Sequence, residues 1–252
     1  MSPPSVSLYQ YTIMNPEEAL NATEILNPLL NRFSLFHGAL LAIVGGFLDA
    51  FTYLEKGHVF ANAMTGNVVL LGIFTAAGNW LQAGGHLLPI IAFLVGIVVA
   101  EILKNPRVRR AVHWPATICL ITETILLLVA GALPGDVPNY FFTLSISFVA
   151  TLQNSMFPRI ERQTINTVMT TGNLRSLFQT LTAVAFSHPH NDAASKIRIF
   201  GTVCASFLFG ALFGGFVSPL AHNRALWVPS SLLLLICSTL LWTVASPRRL
   251  LS

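Results

Sequence analysis

From Leu35 onward the chain alternates long apolar blocks with short polar joints. Six blocks predict full membrane-spanning helices: residues 35–54, 87–103, 114–133, 140–157, 199–220 and 225–245. Each carries about 20 residues that are apolar on every side, and at about 1.5 Å of rise per residue such a run matches the hydrocarbon core of a bilayer. Tyr53, Trp114, Tyr140, Trp227 and Trp242 stand near block ends, where interfacial aromatics belong.

Two further blocks, 59–77 and 164–186, resist a simple assignment because each holds the same triplet: Thr65-Gly66-Asn67 and Thr171-Gly172-Asn173. Either each crosses as a complete helix, or the chain breaks at the triplet, since Thr and Asn cap helices well and Gly accepts unusual backbone angles. Loop charges arbitrate. If both segments cross, one side collects Lys56, Lys104, Arg107, Arg109, Arg110, Arg159, Arg162 and Arg224, against Arg32, Lys196, Arg198, Arg248 and Arg249 on the other. If both dip in and return, only Lys56 and Arg224 stay opposite the rest. The strong bias of cytoplasmic loops toward Lys and Arg favours the second arrangement, with both termini in the cytoplasm. The expected fold is an all-α polytopic transmembrane bundle of eight helices, six full spans plus two re-entrant or broken ones.

Composition strengthens this picture. Only 10% of the 252 residues are charged and 54% are hydrophobic, too few charges for the polar shell of a soluble domain. The net charge of +4 resides in short loops that topology already explains, so nucleic acid is not an expected partner. Residues 1–33 are polar and read as a retained, loosely ordered tail without a signal peptide's basic start and apolar core. Cys119, Cys204 and Cys237 fall inside apolar blocks as small apolar side chains and suggest neither disulfide nor zinc.

The order span, triplet segment, span, span occurs twice, in 34–133 and again in 140–246. Asp49 precedes Asn67 by 18 residues and Asn154 precedes Asn173 by 19. Three crossings per half would set the second copy upside down relative to the first, the inverted repeat common among secondary transporters. The stretch Gly45-Gly46-Phe47-Leu48-Asp49-Ala50-Phe51, with Phe60-Ala61 and Thr65-Gly66-Asn67, resembles the YoaK-like family of membrane proteins. Leu152-Gln153-Asn154-Ser155 and Thr171-Gly172-Asn173 resemble the second half of that pattern, so the likeness covers about residues 36–244. It implies a helical membrane fold and supplies no substrate or reaction.

Among candidate site residues Asp49 leads, since a carboxylate in mid-span costs about 2.5–3.5 kcal/mol and demands a partner, water, a cation or a proton. Its bland alternative is a helix-joining hydrogen bond to Asn154 or to a triplet N–H. Thr65, Gly66, Asn67, Thr171, Gly172 and Asn173 offer the starts of two facing half-helices, or else close packing. Gln153 and Asn154 accompany them. Arg175 pairs with an acid or a solute, or snorkels to the interface. Glu123, between Thr122 and Thr124, is a second acid for proton handling. Gly210 and Gly214 permit close helix approach, within one protomer or in a homo-oligomer. His188, His190 and Asp192 read as a solvated turn and not as a metal site. No cofactor, phosphate-loop or hydrolase motif occurs. The expected function is therefore a small-solute transporter or permease in the lipid bilayer, open to proton coupling; a membrane-embedded enzyme or a scaffold is the alternative. Asn21-Ala22-Thr23 fits the glycosylation pattern. Expressed in a secretory host, the protein should carry no glycan at Asn21; a mass shift removed by glycosidase would reverse the predicted orientation.

Overall fold

The computed structural model describes residues 33–112, 114–186 and 192–245. The polar tail with its glycosylation pattern, the His188–His190 turn, and Arg248 and Arg249 lie outside the described residues. The chain runs α1 (Leu35–Glu55), α2 (Met64–Ala76), α3 (Trp80–Lys104), the short α4 (Pro106–Ala111), α5 (Pro115–Ala132) and α6 (Asn139–Met156). A hairpin of two-residue strands, Arg159–Ile160 with Gln163–Thr164, leads to α7 (Thr171–Phe186), α8 (Ala193–Ala221), a 3-10 turn (His222–Leu226) and α9 (Trp227–Ala245). The fold is thus helical, as expected, with one small hairpin that no apolar pattern announced.

Among the described residues four helical stretches are long and apolar enough to cross a membrane, fewer than the six full spans expected: Leu35–Glu55, Trp80–Lys104, Pro115–Ala132 and the continuous Ala193–Trp242. The last joins α8, the 3-10 turn and the start of α9. At about 20 Å for its 13 residues, α2 is too short to cross.

Packing links the first helix of each half to the third helix of the other. α1 lies chiefly on α8, and α6 chiefly on α3. Small residues make both seams possible. A methyl group on Gly46 would collide with the Phe207 carbonyl, and one on Gly210 with the Ile43 carbonyl. Gly214 meets Phe47 on the same seam, and Gly96 meets Thr151 on the other. The glycine pair of α8 therefore serves contact within the protomer. The core between these seams holds Phe47, Phe51, Phe142 and Leu48, all fully buried.

The contacts define two ends of the bundle. At one, Phe33 packs against Phe157 with the rings tilted, Gly38 touches Ile160, His37 Nε2 meets Thr239 Oγ1 at 3.2 Å, and Arg198 pairs with Glu161 at 2.6 Å. At the other, Glu55 meets His222 at 2.9 Å and Lys56 Nζ donates to Asn223 Oδ1 at 2.6 Å. The buried Lys56 ammonium also sits 3.8 Å from the Phe142 ring centre. Burial lowers its pKa from the ordinary lysine value, against the pull of the Glu55 carboxylate.

Both shorter helices finish near the end of the bundle from which their connecting loops set out. Phe74 near the end of α2 and Gln82 at the start of α3 line one cavity with Lys56 and His58. Likewise Thr180 and Ala183 of α7 line a cavity with Gln163 of the hairpin and Lys196 of α8.

Gly210→Val should cost about 3 kcal/mol through overpacking of the α1–α8 seam. At Gly215 an added Cβ meets nothing within 4 Å, so Gly215→Val should change stability by less than about 0.5 kcal/mol. Thermal and denaturant unfolding of both variants in detergent checks the contrast.

Candidate functional site

The loop after α1 turns back down the helix it has just left. Gly57 and His58 take left-handed φ values of 84° and 59° to make the reversal. Three hydrogen bonds then follow in descending order. Ala61 N–H donates to Thr52 Oγ1 at 3.1 Å, Asn62 N–H to Asp49 Oδ1 at 2.7 Å, and Asn62 Nδ2 to the Gly45 carbonyl at 3.2 Å. Gly45 is midway along α1, so the loop reaches half the depth of the bundle before α2 begins.

The helices do not begin after the triplets. α2 starts at Met64, three residues before Asn67, and α7 at Thr171, two residues before Asn173, so each triplet lies in a first helical turn. The asparagine works as a clamp and not as an N-cap. Asn67 Oδ1 accepts from Phe60 N–H at 3.1 Å while its Nδ2 donates to the Phe60 carbonyl at 2.7 Å. In the second half Asn173 makes the same pair with Asn166, at 3.2 Å and 2.5 Å. His86 adds a contact of 3.3 Å to Asn67 Oδ1 and stacks on Phe74.

Asp49 and Asn154 also correspond. Asn154 Oδ1 accepts from Thr167 N–H at 3.1 Å, as Asp49 accepts from Asn62. Both loops are held by the opposite half as well: Ser147 Oγ donates to the Ala61 carbonyl at 2.7 Å, and a Cβ on Gly45 would lie 2.6 Å from the Thr167 carbonyl.

These elements meet around a cavity of about 770 Å³. Asp49 and Tyr53 of α1 line one wall, and Phe60 and Thr65 of the first loop and half-helix line another. Asn166, Met169, Thr171 and Gly172 close it from the second half, with Phe207 of α8. Tyr53 and Phe60 stack face to face, centroids 4.9 Å apart at 24°. Asp49 is the one charged residue among the described lining residues, and none of them is basic.

The candidates therefore divide. Asp49, Thr65, Thr171 and Gly172 line the cavity. Asn67 and Asn173 lie buried behind it as clamps, Asn154 bonds its own loop, and Gly66 packs on the Phe60 ring. Gln153 is buried with Nε2 unpaired. Glu123 is fully buried in α5 away from the cavity, and neither of its carboxylate oxygens has a hydrogen-bond partner. Arg175 is exposed on α7 and, among the described ion pairs, meets neither Asp49 nor Glu123. Asn62, Asn166, Met169 and Phe207 were missed by the pattern of apolar blocks. Phe60 and Asn166 each stand seven residues before a triplet asparagine, a spacing that carries the clamp. Tyr53, which the pattern assigns to an interface, belongs to the cavity wall.

A family model described as "Protein of unknown function (DUF1275)" matches residues 37–239. The UPF0700 transmembrane protein YoaK of Bacillus subtilis (strain 168) is 24% identical over 207 residues, covering 80% of this chain and 91% of that protein. No solved structure matches the chain.

Asn67→Ala and Asn173→Ala each strip a non-helical backbone N–H and C=O of partners and should each cost about 2 kcal/mol or more. Arg175→Ala should stay within about 0.5 kcal/mol of the parent. Equilibrium unfolding in detergent ranks the three.

Proposed function

This chain belongs to the DUF1275 family, and we propose that it is an integral membrane protein that carries a small solute through the cavity between its two half-length helices. The convergence of Asp49, Thr65, Thr171 and Gly172 on one cavity carries the reading. Irregular backbone at membrane depth is tolerated only where protein buries it or a water-filled cavity adjoins it. Half-helix starts aimed at a shared cavity are the arrangement secondary transporters use for solute.

In this proposal α1, α3, α5, α6, α8 and α9 cross the bilayer, and α2 and α7 return to the sides from which their loops entered. The halves form an inverted repeat. Its support is the twin clamps, the twin α1-to-α8 and α6-to-α3 seams, and the twin backbone bonds of Asp49 and Asn154. The end holding Arg159, Arg198 and Lys196 faces the cytoplasm and the end holding Lys56 and Arg224 faces away, following the bias of cytoplasmic loops toward basic residues. YoaK's description as a transmembrane protein agrees with a membrane location.

The test uses the full chain in proteoliposomes given a complex mixture of water-soluble metabolites, with mass spectrometry of what enters. At least one solute should accumulate about tenfold above protein-free vesicles. A Cβ on Gly172 meets nothing within 4 Å, so Gly172→Trp should fill the cavity without disturbing the fold and cut that uptake by about tenfold. Uptake no greater than in empty vesicles, or undiminished in a folded Gly172→Trp protein, would defeat the transport reading.

A further inference from the structure

The cavity's two halves differ in one respect that bears on its ligand. Asp49 and Asn154 occupy corresponding places, and each gives one side-chain oxygen to a loop N–H, at 2.7 Å and 3.1 Å. A neutral amide suffices for the loop at 154, whereas the Asp49 carboxylate also faces the Ala61 and Ala63 N–H groups. These neutral N–H donors do not cancel a full negative charge at Asp49, and a buried charge is costly unless something answers it.

No cationic side chain among the described residues pairs with it. Asp49 takes part in none of the described salt bridges, and no Lys, Arg or His lines the cavity. The rest of the wall is of one character. The stacked Tyr53 and Phe60 and nearby Phe207 are aromatic residues, of the kind that attract cations, and Met64 and Met169 add polarizable thioethers to the lining. The α2 and α7 starts carry partial positive charge, which by itself would suit an anion. Yet Asp49 already bonds the backbone at the α2 start, and an anion entering the cavity would stand beside that carboxylate.

We infer that the cavity binds an organic cation, its positive centre beside Asp49 and its apolar part against Tyr53 and Phe60. The inference rests on the cavity being the solute site proposed above and names the class of that solute.

Benzyltrimethylammonium is a suitable probe, since it holds a fixed charge and an aromatic ring, and phenylacetate is an anion of similar size. Calorimetric titration of the full chain in detergent should give an affinity for the cation about tenfold or more above that for phenylacetate. Asp49→Asn reproduces the group found at 154, so it should fold with an unchanged melting temperature and lose about tenfold in cation affinity. Tyr53→Leu should weaken the cation severalfold and leave the loop bonds intact. Equal or tighter binding of phenylacetate, no binding of the cation, or full cation affinity in a folded Asp49→Asn protein would overturn the inference. So would an Asp49→Asn protein that cannot fold, because the charge would then be structural. Cation binding without flux in vesicles would instead sink transport and leave the site standing.

Discussion

Backbone that is not helical and is buried by protein needs partners for its N–H and C=O groups. Two loops of this chain run inside the bundle and face that demand; in each, one asparagine amide answers both backbone groups of a single residue, and other side chains answer the rest. A carboxamide offers a donor and an acceptor side by side, the complement of a single residue's C=O and N–H, so Asn67 reads Phe60 and Asn173 reads Asn166 through both functions at once. Aspartate would lack the donor and leucine would lack both. The glycine before each asparagine and the threonine before that keep the first turn of the half-helix slim where the cavity opens.

The clamps fix each loop to its own half-helix, and the opposite half supplies the rest. Ser147 of α6 bonds the first loop, Gly45 of α1 yields space to the second, and the first helix of each half lies against the third helix of the other. Neither half encloses its own loop. The cavity wall is therefore a property of the assembled pair, and motion of one half against the other would change the cavity directly.

Much of the helix placement was legible in the apolar blocks. Block 140–157 became Asn139–Met156, which is helical but not among the four stretches apolar enough to cross, and block 225–245 became Trp227–Ala245. Where the pattern fell short, polarity hid the helix: α3 begins at Trp80, seven residues before its apolar block, because Gln82, Gly84, Gly85 and His86 dilute the run. The triplets marked the right places but suggested the wrong job for asparagine, since a cap and a clamp use the same side chain and differ only in which backbone lies near. Within the site, Asp49, Thr65, Thr171 and Gly172 were visible as polar or small residues in apolar surroundings. Asn166, Met169 and Phe207 were not, for they reach the cavity through a loop and a seam whose geometry no local period records. Glu123 looked like a second Asp49 in sequence and differs in space, buried in α5 and not among the residues that line this cavity.

Positions 49 and 154 allow a comparison within one chain. What both loops share, the clamp and the backbone bond from position 49 or 154, is what holds a loop inside the bundle. What only one of the two positions holds needs another reason, and the asymmetry here is a single charge in a wall otherwise built from rings, thioethers and hydroxyls. Burying a carboxylate that only neutral N–H groups answer works against stability in lipid more than in water, because the surrounding acyl chains offer no solvation to recover. Its presence on the cavity side of α1 places the cost where a ligand can offset it, and fixes the sign of charge that such a ligand must bring.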